Sequence, residues 1–217
     1  MKNTATLAAG LVSAGALALG ALGAVGVANV GHTAAQARHN HPDAKFTMVR
    51  STAAATTGCL PHAKAKVRIT KLEGAEQMDI HASGLLPKTE YDLFVIQVPD
   101  APFGLSWYQG DLETDRYGEA EGTFIGRFNE ETFSVAPGVA PAPVRHTSPI
   151  ADASANPATA PVHQFHVGLW FNSPEDATAA GCGTAVTPFN GEHNAGVQVL
   201  STRNFAPGDG PLGQIGS

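Results

Sequence analysis

Apolar and polar residues alternate along several short stretches of the chain. Every second residue is apolar through most of 64–73 and again through 77–82. A period of two is typical of a strand with one buried face. Gly74 separates the two stretches, so the pattern predicts a hairpin between them.

The stretch 90–98 is nearly continuously apolar, which predicts a strand buried on both faces and ended by Pro99. Ser173, Pro174 and Gly181 carry the signals for the start and the end of one short helical turn. Further strand candidates are 45–51, 105–113, 119–128, 132–136, 163–171 and 195–205. About eight or nine short strands with no sustained helical period predict an all-β sandwich or barrel.

Two segments do not fit this pattern. The stretch 136–161 is rich in proline and alanine and has few large apolar groups, so we expect a long surface loop. The last residues, 206–217, are rich in glycine and proline and predict an irregular tail.

A short motif refines the fold prediction. Residues 85–91 read Leu-Leu-Pro-Lys-Thr-Glu-Tyr, and the apolar strand follows directly. Here the chain resembles fibronectin type III and related immunoglobulin-like sandwiches, in which Tyr91 would lie at a corner and bond to nearby backbone. Lys88 stands where that family usually has glycine, and the resemblance covers only 84–97. It implies an immunoglobulin-like β-sandwich and no particular activity.

The start of the chain is typical of a secretory signal. Residues 1–37 contain one lysine, no acidic residue and a long apolar run that ends in Ala-Gln-Ala. We expect cleavage between Ala37 and Arg38, a secreted product, and a single domain over 38–217. The alternative is an uncleaved N-terminal membrane anchor, since about 20 apolar residues span a bilayer. The Ala/Gly-rich composition of the segment suggests a bacterial protein.

Charge limits the classes of partner. All nineteen acidic residues but only twelve of the thirteen basic ones follow Ala37, so the mature chain carries a net charge of −7. Nucleic acid is therefore disfavoured, because its binding depends on neutralising phosphates with Lys and Arg. An anionic membrane surface is disfavoured for the same reason. We expect an extracellular ligand or a cell-envelope component as partner, no stable membrane insertion after cleavage, and no cofactor.

Cys59 and Cys182 are the two cysteines of the chain. In an exported protein they have one intramolecular pairing, so we predict a disulfide between them. A metal pair or a reactive thiol is the alternative. The disulfide would hold the two halves of the mature chain in one domain.

Nine histidines raise the question of a metal site. His163 and His166 are three residues apart, and on one strand that spacing places them on opposite faces. His193 lies in a predicted loop and is available to join them. A metal-binding extracellular enzyme or metal carrier using these three histidines is therefore an alternative, while ordinary surface or hydrogen-bonded histidines are the prediction.

Three aromatic residues and one histidine are the candidate ligand-binding positions: Trp107, Tyr108, Trp170 and His166. If Val167 and Leu169 face the core, His166, Gly168 and Trp170 share the other face. Trp170 next to the small Gly168 would then form a platform for a sugar ring, unless the proline-rich segment covers it. A carbohydrate-binding module is thus a second alternative.

Catalytic signatures are absent from the sequence: it has no G-x-S-x-G, no H-E-x-x-H, no phosphate loop and no dinucleotide fingerprint. Asp111, Glu113 and Asp115 offer carboxylates, but their spacing is also that of a solvated strand face. We therefore predict no catalytic residues and a secreted, non-catalytic binding module of unknown ligand.

Overall fold

A computed structural model describes residues 43–134, 159–188 and 193–215, which are mostly antiparallel β-sheet. The predicted signal 1–37, its cleavage site and most of the predicted loop 136–161 lie outside these residues. The signal peptide and the domain boundary at Arg38 therefore stay predictions.

The elements of the described residues follow one another as strands with three short helical segments. In chain order they are β1 (Ala44–Arg50), α1 (Thr52–Thr57), β2 (Lys64–Lys71), β3 (Glu76–Ser83), β4 (Glu90–Ile96), β5 (Ser106–Glu113), β6 (Ala120–Gly126), β7 (Glu130–Ser134), β8 (Thr159–His163), β9 (His166–Phe171), α2 (Pro174–Ala179), β10 (Thr187–Pro188), β11 (Asn194–Ala195), β12 (Gln198–Ser201) and a 3₁₀ helix (Pro211–Gln214).

Eight of these strands form the main sheet, in the order β5-β4-β9-β12-β1-β2-β3-β6. β1 pairs with β2 over one part of its length and with β12 over the other, and so joins the two halves. The end strands also meet: Gly122 of β6 lies against the Leu112 side chain of β5, so the sheet nearly closes on itself. The all-β prediction is confirmed at this level.

The core lies on the inner face of the sheet, where period-two alternation directs the apolar side chains. β2 and β3 form the predicted hairpin, with Val67 opposite Ile80 and both buried. β4 is buried on both faces, as its apolar run predicts. The backbone N–H of Leu86 donates to the Tyr91 hydroxyl at 2.9 Å, so the tyrosine holds the corner that leads into β4.

A disulfide joins the ends of the two short α-helices. Ser51 caps α1 and Ser173 caps α2, each accepting from a backbone N–H three residues on. Cys59 and Cys182 follow these helices and are bonded across 123 residues of sequence. The crosslink therefore ties the early strands to the late ones, as predicted from two cysteines.

Several parts of the chain differ from the sequence predictions, among them the last expected strand, 195–205, of which only 195 and 198–201 lie in strands. α1 was not expected, because six residues are too few to show a helical period. The strand expected over 163–171 is two strands, since Gln164 and Phe165 separate β8 from β9. The tail contains a 3₁₀ helix in which Leu212 is fully buried, and Ile215 follows it at 2% exposure, so burial of apolar side chains orders a segment that glycine and proline suggested was irregular. Within the described residues, no helix is long and apolar enough to cross a membrane.

Candidate functional site: an acidic face on β4 and β5

Four carboxyl groups share the outer surface of two neighbouring strands. Alternation along β4 turns Tyr91 and Leu93 into the core and leaves Glu90 and Asp92 on the opposite side. On β5, Glu113 lies directly across from Glu90 and Asp111 directly across from Asp92. We call Glu90, Asp92, Asp111 and Glu113 the acidic face. Like charges directly opposite each other destabilise a sheet, so this arrangement has a cost in stability.

A β-bulge brings an aromatic residue to the same face. Tyr108 and Asp111 are three residues apart, which in a regular strand would place them on opposite sides. The β4–β5 register shifts between Leu93 and Phe94, and the extra residue turns both side chains outward. As a result the Tyr108 hydroxyl donates to Asp111 Oδ1 at 2.5 Å. Bulges commonly re-aim side chains beside functional sites.

Asp92 is the most unusual member of the acidic face. It is 0% exposed, and among the described residues no donor reaches either of its carboxylate oxygens. Its cross-strand neighbour Asp111 is another carboxyl, so the two hydrogen-bond only when one of them holds a proton. On the other side Asp92 is paired with Trp170, and Trp170 with Gln198.

The two residues that continue this row also lack partners. Trp170 Nε1 and Gln198 Nε2 are buried, and neither meets an acceptor within the part of the chain that the structure describes. Buried polar groups are ordinarily hydrogen-bonded, and each one left unpaired costs on the order of 1–3 kcal/mol. A row of unpaired acceptor and donor groups is therefore a feature that stability alone does not explain.

Burial and the neighbouring carboxyls raise pKa values on the acidic face. Burial, followed by the charge and hydrogen bond of Asp111 and the charge of Glu90, raises the pKa of Asp92 to about 7. The pKa of Glu90 is also raised, first by burial and then by Asp111 and Glu113, while His193 lowers it. Burial and the contact with Asp111 raise the pKa of the Tyr108 hydroxyl. Near neutral pH the carboxyl of Asp92 is therefore protonated in a substantial fraction of the molecules.

An aromatic cluster flanks the acidic face. The Trp170 ring packs edge-on against Phe94 and Phe103, with ring centroids 5.3 and 4.9 Å away. It also lies over Gly168, where a Cβ atom would collide with the indole. Phe94 in turn lies 5.7 Å from Tyr108, which is 44% exposed. Tyr108 is thus the accessible aromatic side chain beside the carboxyls.

At the other end of the acidic face is a shallow depression of about 280 Å³ beside Glu90. It is lined by residues that include Asn172, Glu175 and His193. Asn172 donates to a Glu90 carboxylate oxygen at 3.3 Å. The depression therefore extends the acidic face towards α2 and β11.

The structure places the predicted aromatic residues in different environments. Trp170 and Tyr108 do share one face, but Trp170 is 3% exposed and presents no open platform. Phe94 and Phe103 pack against it. Trp107 is turned to the opposite side, where it packs against the core.

The predicted histidines are not brought together. His166 shares the face of Trp170 but is buried, with Nδ1 at 2.9 Å from Thr202 Oγ1 and Nε2 at 3.1 Å from the Pro207 carbonyl oxygen. His163 is exposed at the end of β8, and His193 lies by the depression. Within the described ranges, no group of three or more His, Cys, Asp or Glu side chains is placed to hold a metal ion. His166 instead anchors the C-terminal segment to β9.

The predicted carboxylates divide into two kinds. Asp111 and Glu113 belong to the acidic face, whereas Asp115 stabilises a turn by accepting from the backbone N–H groups of Tyr117 and Glu119 at 2.7 and 3.0 Å. The sequence interpretation missed Asp92, Glu90 and Gln198. The signal for Asp92 was present, because it is the one charged residue inside the apolar run 91–96.

A second polar surface lies on the other half of the sheet. The outward side chains of β1, β2, β3 and β6 line an open concavity of about 870 Å³. Here basic and acidic residues are mixed: His81 Nδ1 lies 3.0 Å from Glu121 Oε1, and Thr123 donates to Asp79 at 2.8 Å. The carboxyls of Asp79 and Glu121 thus have hydrogen-bonding partners, unlike that of Asp92.

Comparison with known proteins adds no relative: neither a protein-family model nor a curated protein matches this chain.

Proposed function

We propose that this chain is a secreted, non-catalytic binding protein whose ligand occupies the acidic face. The observation that carries the proposal is Asp92, a fully buried carboxyl with no donor among the described residues. Burying an unpaired charge is expensive, and an apolar residue at this position would be more stable. Buried ionisable groups with strongly shifted pKa values cluster at functional sites, so Asp92 marks a candidate binding site.

Binding rather than catalysis is favoured by how the carboxyls are arranged. A glycoside hydrolase needs two carboxyls on either side of the substrate bond, with a gap between them. Here Asp111 hydrogen-bonds to Tyr108 and is in contact with both Asp92 and Glu90. Asp111 is therefore bonded to its neighbours rather than set across a gap from them.

Secretion and the immunoglobulin-like sandwich are parts of the same proposal. Secretion is supported by the leader pattern of 1–37 and by the Cys59–Cys182 bond, because disulfides persist in oxidising compartments. The proposed immunoglobulin-like sandwich is supported by the hydrogen bond of Tyr91 at its corner and by the mostly antiparallel sheet. Metal carriage through His163, His166 and His193 and carbohydrate binding at Trp170 are less favoured, because His166 and Trp170 are buried.

Tryptophan fluorescence tests the binding proposal, because Trp170 is paired with Asp92. In a Trp107→Phe variant Trp170 is the remaining tryptophan and reports on the acidic face. We expect at least one probe among calcium chloride, a soluble oligosaccharide, an arginine peptide and a lysine peptide to shift its emission. The same probe should have no effect after a further Asp92→Asn substitution. If no probe acts at millimolar concentration, or if the responses do not depend on Asp92, the proposal is wrong.

A further inference from the structure

We infer that the acidic face binds the guanidinium group of an arginine side chain presented by a partner peptide or protein. This inference rests on the proposed binding function of the same face and assigns the chemistry of its ligand. Two independent observations support it: four carboxyls crowd one face, and one of them, Asp92, is buried without a donor.

The charge of the ligand follows from what the acidic face lacks. Among the described residues, no lysine or arginine pairs with its carboxyls, and the ion pairs of Glu76 and Glu121 lie elsewhere. A cation bound at the exposed carboxyl of Asp111 would relieve its repulsion with the buried Asp92. Hydrogen bonds between an ionised donor and a carboxylate are roughly twice as strong as neutral ones.

The shape of the carboxyl set favours an extended organic cation over a metal ion. The described residues contain no set of three or more His, Cys, Asp or Glu placed around a common centre. Instead the carboxyls form two facing pairs, one pair being two residues further along the strands than the other. Guanidinium carries five N–H donors in a planar fork, so it can contact several separated acceptors at once.

The exposed aromatic ring distinguishes arginine from lysine. The hydroxyl of Tyr108 is held on Asp111 and its ring lies against Phe94, so the ring is fixed beside the carboxyls. A guanidinium stacks flat on such a ring while its edge donates to carboxylates. A lysine ammonium is a compact, strongly hydrated charge and makes only the electrostatic part of this contact.

Isothermal titration calorimetry with three matched peptides tests the assignment. Ac-Gly-X-Gly-amide peptides, with X as arginine, lysine or citrulline, differ only in charge and in the shape of the head group. At pH 8 we expect the arginine peptide to bind at least tenfold more tightly than the lysine and citrulline peptides. Asp111→Asn should weaken arginine binding at least tenfold, and Glu121→Gln, on the other polar surface, should leave it unchanged.

Two further readouts separate a direct contact from a general effect on the fold. Tyr108→Leu should reduce the preference for arginine over lysine while circular dichroism stays native. Binding should also tighten from pH 6 to pH 8 and release protons, because the pKa of Asp92 is about 7 and its carboxylate is the binding form. The released protons are measured by repeating the titration in buffers of different ionisation enthalpy.

The outcomes distinguish this inference from the proposed function. If arginine and citrulline bind equally, or if Asp111→Asn has no effect, the guanidinium assignment is wrong. If calcium or the oligosaccharide shifts Trp170 emission through Asp92 but the arginine peptide does not bind, the binding function stands and the assignment falls. If none of the probes binds, both fall.

Discussion

Asp92 and Asp111 face each other across the β4–β5 ladder, one fully buried and the other exposed. Each belongs to a strand whose other face packs into the core, which fixes the backbone positions of the two residues. The pair is costly to the free protein: burial is the main cause of the raised pKa of Asp92, and Asp111 raises it further.

Asp92→Asn should stabilise the protein above neutral pH. Asp92 has a folded pKa of about 7 against an ordinary value of 3.8, so between these values the folded state holds more protons than the unfolded state. The free energy of unfolding therefore falls as pH rises through this window, by roughly 4 kcal/mol at the upper limit. Urea unfolding should show a lower free energy of unfolding at pH 8 than at pH 5 in the wild type, and Asp92→Asn should remove this difference. The control variant Asp209→Asn, at an exposed position, should lose stability between pH 5 and pH 8 as the wild type does. If the free energy of unfolding changes with pH equally in both variants, the raised pKa of Asp92 is contradicted.

His166 should impose the opposite pH dependence. Burial lowers its pKa from 6.5, although its contacts with the backbone of Pro207, Ala206 and Thr202 and the charge of Asp100 oppose this. Below pH 6.5 the unfolded state therefore binds the extra proton, and stability falls until the folded pKa is reached. In an Asp92→Asn background, unfolding at pH 7.5 and pH 5 should show this loss. His166→Gln should lower stability at both values and flatten the difference between them.

Breaking the disulfide should lower stability substantially. The bond closes a loop of 123 residues of sequence separation, for which the chain-entropy model gives about 4–5 kcal/mol. A Cys59→Ser, Cys182→Ser double variant should unfold at correspondingly lower urea concentration. Dithiothreitol should reproduce this shift in the wild type and have no effect on the double variant. A wild type that is indifferent to reductant would show that the crosslink contributes little.

Gly168→Ala should disturb the packing of Trp170. A Cβ at this position would collide with the indole and lie 2.7 Å from Gln198 Nε2, so the ring must shift away from Phe94. Overpacking of this kind costs about 1–3 kcal/mol. In a Trp107→Phe background the fluorescence emission of Trp170 should move to longer wavelength, because the indole becomes more exposed to water. Unchanged emission and unchanged stability would mean that the indole does not rest on Gly168.

Most strands could be predicted because their pattern is local. The alternation around Val67 and Ile80 gave a hairpin that the structure contains, and Ser173 and Pro174 correctly marked the start of α2. α1 was not predicted, because its six residues bury only Ala54 and show no helical period. Ser51 at its start and Gly58 at its end are nevertheless residue types that favour helix termini.

The candidate site could be predicted only in part, because it depends on pairing between distant strands. Asp111 and Tyr108 were visible as a carboxylate and an aromatic residue, but the bulge that places them together is a property of the β4–β5 register. Trp170 meets Asp92 because β9 pairs with β4, and no local pattern indicates which strands become neighbours. The lone charge at Asp92 within an apolar run was the strongest hint of the site.

The ionisation of Asp92 itself is the most direct test of the central claim. Carbon-13 NMR of the side-chain carboxyl, assigned by comparison with Asp92→Asn, follows its protonation from pH 3 to pH 9. The account predicts a midpoint near 7 in the free protein, displaced to lower pH when the arginine peptide is bound. A midpoint close to the ordinary value of 3.8, unchanged by the peptide, would contradict it.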